Sequence, residues 1–533
     1  MTPVALLELV LVLVGLAVVL SLAAARLRLP PAVALVIGGM ALALVPHLPA
    51  VQLDPDLIMV LFLPPLLQSS AWFTVWRDFK AELRPILMLS VGAVAFTTFA
   101  VGVVAHLVMP SLPWGACFAL GAIVSPPDAV AAKAVLEHLT LPRRLTTILE
   151  GESLVNDASG LVLYRFAVAA ALTGAFSAVE AGASFLWLAV GGIGIGVLIG
   201  LVMNWLFRRI TDGLILIVLT FLVAWASYIL AERVHASGVL AVVACGLMMG
   251  SREHELLGAQ VRMQAVAVWG FVVYVLEALV FVLIGLALRG VLERMSEGEV
   301  FREALPLALA VSAVVVISRF VWVFPATYLP RWLSRSLRER DPSPPLAMPI
   351  IVGWAGMRGV VSLAAALALP LEFPGRDAVL LASFAVILFT VLVQGLTLGP
   401  LIKLLKLEAA SGAAAEPLDL VGARVVVAQA GLDALEATRV AGSDELLHPK
   451  LTEEYRKRVR AVTWTRDAGI GRLADRDAHF EAALLAHRAG RDALIKLHRE
   501  NQIHVSVLRS LESELDLEEL RLKRLATVGV GGH

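Results

Sequence analysis

Long apolar runs separated by short polar breaks follow one another along the first three quarters of the chain. Runs of roughly 20 residues with few charges have the length that a helix needs to cross about 30 Å of hydrocarbon. The apolar runs between charged or Pro/Gly-rich breaks predict thirteen transmembrane helices. They lie near residues 4–25, 31–48, 56–74, 84–109, 113–136, 143–174, 182–207, 213–232, 236–250, 264–289, 304–328, 346–370 and 377–404.

Composition supports this pattern, because 59% of the 533 residues are apolar and only 17% are charged. Such a chain has too little polar surface to enclose itself in water, so we predict an all-α polytopic membrane protein. The formal net charge of zero gives no indication of nucleic-acid binding. Cys117 and Cys245 both fall inside apolar spans, where we expect packing residues rather than a disulfide or a thiolate metal site.

The basic residues of the connecting segments alternate in number from one side of the predicted membrane to the other. One side carries Arg26, Arg28, Arg77, Lys80, Arg84, Arg143, Arg144, Arg208, Arg209, Arg252, Arg262, Arg331, Arg335, Arg338, Arg340, Lys403 and Lys406, and the other carries Arg233, Arg289, Arg294, Arg302 and Arg376. Positive residues favour the cytoplasm, so we expect the N-terminus outside and the C-terminus inside. The first apolar run exceeds a signal core and has no Lys or Arg before it, which favours a retained helix. Short loops indicate a bacterial inner membrane, and an organellar membrane remains the alternative.

The last quarter of the chain has a different composition. We divide the chain into a membrane domain over 1–407, a linker over 408–418 and a cytoplasmic helical domain over 419–533, where apolar residues recur at helical spacing among many charges. This domain is interpreted either as a packing or dimerising tail or as a regulatory sensor.

Consecutive prolines interrupt the fifth span in the sequence Ser125-Pro126-Pro127-Asp128. They remove two amide donors and push the preceding residues out of helical geometry, so the helix must break. Free carbonyls beside a carboxylate are hard oxygen ligands for a small cation, and broken helices near the midplane recur in transporters. The alternative is a proline kink in which Asp128 caps the second half-helix.

Two carboxylates lie in the sixth span, within Glu152-Ser153-Leu-Val-Asn156-Asp157. Ser153 and Asp157 are four residues apart, as are Glu152 and Asn156, so two polar stripes lie side by side on a helix. Burial favours a protonated carboxyl and a bound cation favours an ionised one, so a proton and a cation compete for the same group. In the purely structural alternative, Arg or Lys residues pair with both acids.

Two arginines lie in later apolar spans. The twelfth span contains Gly353, Gly356, Arg358 and Gly359, a glycine-rich stretch that is typical either of close helix packing or of gating. An odd offset of seven spans separates it from the fifth span, as inverted repeats require. Arg319 in the eleventh span needs a partner, for which Glu152 and Asp128 are candidates.

These motifs resemble the sodium/proton exchanger branch of the cation/proton antiporters, in its electroneutral Asn-Asp type. The resemblance rests on GESLVND at 151–157, FLPPLL at 62–67, SPPDAVAA at 125–132 and GMRG at 356–359, and it covers the membrane domain. It implies a thirteen-helix fold with a dimerisation part and a core part in which two broken helices cross. It also implies a homodimer that works by elevator-like alternating access and needs no cofactor besides the transported ions.

By this resemblance Asp157 binds cation and proton in turn, with sodium held by Asp157, Ser153 and Glu152. Asn156 would stabilise the site, and Asp128 and the main-chain carbonyl of Pro127 would lie beside it. Glu152 would either help to bind the ion or pair with Arg319. Arg319 and Arg358 would compensate charge.

The sequence departs from the family pattern at two places. Gln68 and Ser69 follow LPPLL where relatives have an aromatic residue and then an acid, so the third span offers no acidic partner for Arg358. Pro127 stands where many relatives have Thr, which removes a hydroxyl near the ion.

The main hypothesis is therefore a sodium or lithium/proton antiporter. One alternative is a potassium/proton antiporter with the same mechanism, because ligand types alone do not set cavity size. Another is a membrane-embedded sensor that signals through its tail. An enzyme is not predicted, since the sequence has no nucleotide-binding glycine loop, HExxH motif or nucleophile elbow in a suitable context.

Overall fold

The structure is a computed structural model. It describes residues 3–27, 29–43, 55–128, 141–174, 178–292, 302, 304–406, 420–438, 446–467, 473–500, 502, 511 and 514–523.

The helices of the membrane part follow the predicted spans closely. They are α1 Pro3–Leu27, α2 Pro31–Ala43, α3 Pro55–Phe73, α4 Trp76–Ala81, α5 Leu83–Leu87, α6 Val94–Val108, α7 Trp114–Val124, α8 Arg143–Thr173, α9 Ala178–Phe207, α10 Gly213–Arg233, α11 Gly238–Gly250, α12 Glu253–Leu256, α13 Ala259–Leu292, α14 Leu305–Leu333, α15 Arg335–Arg340, α16 Ala347–Trp354, α17 Val360–Leu367, α18 Arg376–Phe389 and α19 Gly395–Leu404. A π-helical segment, Met88–Ala93, joins α5 to α6, and another, Thr390–Gln394, joins α18 to α19.

The predicted all-α membrane fold is confirmed. Within the described residues, eight helical stretches are long and apolar enough to cross a membrane, and four more are apolar but shorter. Large apolar side chains such as Leu22, Trp205 and Leu309 are exposed on the outer surface, which suits contact with lipid. Sequence reasoning did not foresee the short helices α4, α12 and α15 or either π-helical segment.

The membrane helices form one compact unit, in which two groups of closely packed neighbours are called here the first and the second bundle. In the first bundle, α2 packs on α1 and α13, and α11 packs on α3, α9 and α10. In the second bundle, α7 packs on α6 and α8, and α14 packs on α6, α16 and α18. The prolines and glycines that interrupt α7 and α16 therefore lie in the second bundle.

An apolar layer lies where the two bundles meet. Leu63, Leu67 and Val243 of the first bundle pack in one cluster with Ile86 and Leu154 of the second. The layer is aliphatic at these positions, and buried aliphatic contacts depend on area rather than on orientation.

The chain divides into two compact units, Met1–Ala410 and Ser411–His533. In the second unit, α20 Leu420–Glu436 packs on α21 Pro449–Asp467, and α22 Leu473–Arg499 follows. Ion pairs tie α20 to α21, and α22 to residues 514–523. They are Arg456 with Glu436 at 2.7 Å and Arg491 with Asp516 at 2.5 Å.

Candidate functional site

The first helix of the fifth span ends where the sequence predicts a break. Helix α7 stops at Val124, and residues 125–128 are not helical. Pro126 and Pro127 cannot donate main-chain hydrogen bonds, which ends the helix. The Ser125 hydroxyl accepts a 3.1 Å hydrogen bond from Thr98 and donates to the Ala122 carbonyl at 3.3 Å. The predicted resumption of this helix beyond Asp128 lies outside the described residues.

The glycine-rich stretch of the twelfth span is a second break, over residues 355–359 between α16 and α17. The two breaks meet: the main-chain N–H of Asp128 donates a 2.6 Å hydrogen bond to the carbonyl of Met357. A Cβ added at Gly359 would overlap the carboxylate of Asp128, so only glycine allows this approach. The non-helical segment around Met357 thus lies directly against Asp128.

Helix α8 brings its polar residues to the same place. Asn156 is fully buried, and its side-chain N–H donates a 2.5 Å hydrogen bond to the carbonyl of Pro127. Asp157 is 6% exposed and lies close enough to Asp128 for the two carboxylates to interact electrostatically. Among the described residues no Lys or Arg forms an ion pair with Asp157. Ser153 lies one helical turn before Asp157 on this helix.

The other acid of α8 has a basic partner. Glu152 receives hydrogen bonds of 2.6 and 2.8 Å from Arg319, and Arg319 also donates to the carbonyl of Val352 at 3.0 Å. Of the two candidate partners for Arg319, the structure brings Glu152 to it. This contact ties α8, α14 and α16 together.

Arg358 bonds to main-chain carbonyls. Its Nε donates to the carbonyl of Val124 at 2.8 Å, one terminal nitrogen donates to that of Ser125 at 3.3 Å, and the other donates to that of Gly356. A cation at this place stabilises the negative end of α7 and satisfies carbonyls that the break leaves without helical donors. With these carbonyl partners the guanidinium bonds without an acid from the third span, where Gln68 donates to the sulfur of Met249 at 3.4 Å.

Residues 10–404 match the family model for the transmembrane region of sodium/hydrogen exchangers. The chain belongs to the sodium/hydrogen exchanger family. It is therefore a membrane transporter of monovalent cations and protons rather than an enzyme, and it needs no cofactor.

Similar proteins agree with this assignment. An uncharacterised Na(+)/H(+) exchanger of Mycobacterium tuberculosis is 34% identical over 535 aligned positions, which cover 95% of this exchanger and 96% of that protein. The sodium, potassium, lithium and rubidium/H(+) antiporter of Bacillus subtilis is 32% identical over 65% of this exchanger and 54% of that protein. The sodium proton antiporter MjNhaP1 of Methanocaldococcus jannaschii shares the fold, with a TM-score of 0.60 at 18% identity over 76% of this exchanger and all of that chain.

Two polar residues near the place where the two breaks meet are not part of the sequence motifs and were not predicted. The Thr390 hydroxyl accepts the main-chain N–H of Arg358 at 3.1 Å, and Thr98 bonds to Ser125. A buried Thr in an apolar helix is common and gives no signal in the sequence by itself. In the described part of the chain, no group of three or more His, Cys, Asp or Glu side chains could hold a resident metal ion.

Proposed function

We propose that this exchanger moves sodium or lithium in one direction and protons in the other, with Asp157 binding the cation and the proton in turn. The observation that supports this is the contrast between the two acids of α8. Glu152 is neutralised by Arg319, whereas Asp157 is buried beside Asp128 and has no basic partner in the described part of the chain. A buried carboxyl in this setting is stable with either a proton or a cation bound, and both cannot bind together.

The proposed cation ligands are oxygen atoms near the place where the two helix breaks meet. They are the carboxylate of Asp157, the hydroxyl of Ser153 and the carbonyl of Pro127, with Asp128 adding negative charge. The amide of Asn156 donates its N–H to Pro127, while its buried oxygen has no hydrogen-bond partner among the described residues. Hard oxygen ligands of this kind suit a small alkali cation.

One titrating carboxyl per site supports one-for-one, electroneutral exchange. If Glu152 stays ionised against Arg319 and Asp128 stays ionised throughout the cycle, only Asp157 alternates between a proton and a cation. A one-proton, one-cation cycle moves no net charge across the membrane. In this account Arg319 and Arg358 compensate fixed charges and helix ends and do not themselves exchange protons.

The apolar layer supports an elevator-like movement of the second bundle along the first. Leu63 and Val243 on one side meet Leu154 on the other through aliphatic contacts, which depend on buried area rather than on orientation. We propose that the first bundle forms the contact between the subunits of a homodimer in a bacterial inner membrane. The N-terminus would lie outside and the domain over 419–533 in the cytoplasm, after a linker over 408–418.

Potassium is the second candidate ion. The Bacillus subtilis relative is named for sodium, potassium, lithium and rubidium, which supports a broad range of cations here also. Pro127 provides a carbonyl and no hydroxyl at the site, and ligand types alone do not set the size of the cavity.

The deciding experiment measures proton movement in proteoliposomes that contain the wild type or Asp157→Asn. Sodium or lithium added to acid-loaded vesicles should alkalinise the interior for the wild type and have no effect for Asp157→Asn, which keeps the side-chain volume. A larger response to potassium would select the second ion. A correctly inserted wild type that responds to none of the three cations would refute transport and favour a sensor that acts through the tail.

A further inference from the structure

Thr390 lies at the first position of the π-helical segment Thr390–Gln394 in the thirteenth span. Such segments are rare and often occur at functional sites. The Thr390 side chain is fully buried, and its hydroxyl bonds in two directions. It donates to the carbonyl of Val386 at 2.9 Å and accepts the main-chain N–H of Arg358 at 3.1 Å. The first bond orients the hydroxyl, so that a lone pair faces Arg358.

The main-chain N–H of Arg358 needs this acceptor. It lies in the break between α16 and α17, where a helical carbonyl is not in place for it. A buried main-chain donor without a partner is costly, and Arg358 is 1% exposed. Thr390 therefore satisfies a group that the break itself leaves exposed.

The same peptide unit is held at its other end. Its carbonyl belongs to Met357 and accepts the main-chain N–H of Asp128 at 2.6 Å. Because a peptide unit is planar, the hydroxyl of Thr390 and the amide of Asp128 bond to opposite ends of one rigid group. A rotation of this plane would move Asp128 relative to Asp157.

We infer that Thr390 is a positioning residue for the cation site, acting on Asp128 through the peptide between Met357 and Arg358. The inference rests on the proposed function and adds a residue of the thirteenth span to it. Hydrogen bonds in such a chain also polarise one another, so loss of the first weakens the second. The site then binds the cation less tightly, although every proposed ligand is still present.

Thr397 offers a matched control in the same span. Its hydroxyl donates to the carbonyl of Val393 at 2.5 Å and accepts the side-chain N–H of Trp354 at 2.9 Å. Thr397→Val therefore removes one bond within the thirteenth span and one bond to the twelfth, as Thr390→Val does. The partner that Thr397→Val loses in the twelfth span is the side chain of Trp354, in an exposed hydrogen bond. The partner that Thr390→Val loses there is the main chain of the break.

The test compares wild type, Thr390→Val, Thr390→Ser and Thr397→Val in proteoliposomes, with initial rates of proton movement measured over a range of sodium concentrations. Thr390→Val should raise the KM for sodium roughly two- to tenfold, the range that one buried hydrogen bond supplies, with a smaller change in Vmax. Thr390→Ser, which keeps the hydroxyl, and Thr397→Val should both keep the wild-type KM. A wild-type KM in Thr390→Val, or an equal rise in Thr397→Val, would overturn the inference.

One further variant and one further measurement distinguish a failure of the positioning role of Thr390 from a failure of the proposed exchange function. If Thr390→Val does not elute as a folded protein, Thr390→Ala deletes the same hydroxyl with less bulk, and the same outcomes apply. If the wild type itself exchanges no cation, the proposed function has failed. Sodium-dependent thermal stabilisation of the same four proteins then reports cation affinity directly, and an unweakened response of Thr390→Val refutes the positioning role.

Discussion

Arg319 and Glu152 form a bidentate ion pair, in which two guanidinium nitrogens lie 2.6 and 2.8 Å from the two carboxylate oxygens. The two side chains are 3% and 2% exposed. Removal of one partner of such a pair leaves a buried, uncompensated charge. Glu152→Gln should therefore destabilise the protein by about 3–5 kcal/mol, measured as the loss of thermal stability in detergent.

The control is Asp157→Asn, five residues farther along α8. Because Asp157 has no ion pair with Lys or Arg in the described part of the chain, its neutralisation should leave stability unchanged or raise it. An equal loss of stability in both variants would show that Asp157 also has a structural partner.

Gly359 should not tolerate a methyl group. A Cβ at this position overlaps the carboxylate of Asp128, so Gly359→Ala must displace either Asp128 or the break itself. We expect a loss of about 1–3 kcal/mol in stability together with loss of sodium-dependent proton movement. Gly270→Ala is the matched control, since no atom lies within 4 Å of its added Cβ. Wild-type exchange by Gly359→Ala would mean that Asp128 need not lie against the break.

Arg165 and Glu232 form an ion pair of 2.9 Å that crosses from α8 of the second bundle to α10 of the first. If the bundles slide during transport, a link at these two positions should stop it. A bis-maleimide that joins Arg165→Cys to Glu232→Cys should abolish exchange, while either single variant treated alike should keep it. The native Cys117 and Cys245 are buried and should not react. Full exchange by the linked protein would exclude relative movement at this contact.

Asp341 lies in the connection between α15 and α16, outside the membrane-spanning helices, and bonds to Arg84, Arg144 and Arg331. Burial raises the pKa of this carboxyl, but the hydrogen bond from Arg144 and the charges of the three arginines outweigh burial and hold the pKa below its usual value. A lowered folded-state pKa contributes stability above the unfolded-state pKa, and this contribution is lost as the pH falls through the folded-state value. Asp341→Asn should therefore be less stable than wild type at neutral pH.

The difference in melting temperature between wild type and Asp341→Asn should shrink as the pH falls below about 4, the pKa of an unfolded aspartate, and should vanish once the pH is below the lowered pKa of the folded carboxyl. If the difference in melting temperature stays constant from neutral to acidic pH, the ionised carboxylate of Asp341 does not stabilise the protein through the three arginines. Arg335→Gln, in an exposed pair with Glu339, should change stability little at any pH.

The sequence predicts the helices because hydrophobic length is a direct physical requirement of the bilayer. The sequence also predicts the helix break at Pro126 and Pro127, because proline has no main-chain N–H to donate in any context. The π-helical segments at 88–93 and 390–394 have no such signature, because a shift in hydrogen-bond register depends on what the neighbouring helices require.

The sequence predicts contacts of the site in which one side chain bonds to another. It does not predict contacts in which a side chain bonds to the main chain. Arg319 must find an acid, and α8 supplies Glu152. The expectation that Arg358 also needs an acid points to the third span, yet its partners are carbonyls at the end of α7. A carbonyl is present at every residue, so the sequence does not show which ones a helix break will expose.

The contacts of Arg358 have a consequence for how the protein tolerates change. Its guanidinium recognises the end of a helix and not a particular neighbour, so Val124 is replaceable by any residue of similar size that lets the helix stop there. Arg358→Lys lacks the planar fork that reaches three carbonyls at once and cannot substitute for it. Comparison of sequences across the family would then find no correlated change between positions 124 and 358, although the two residues touch.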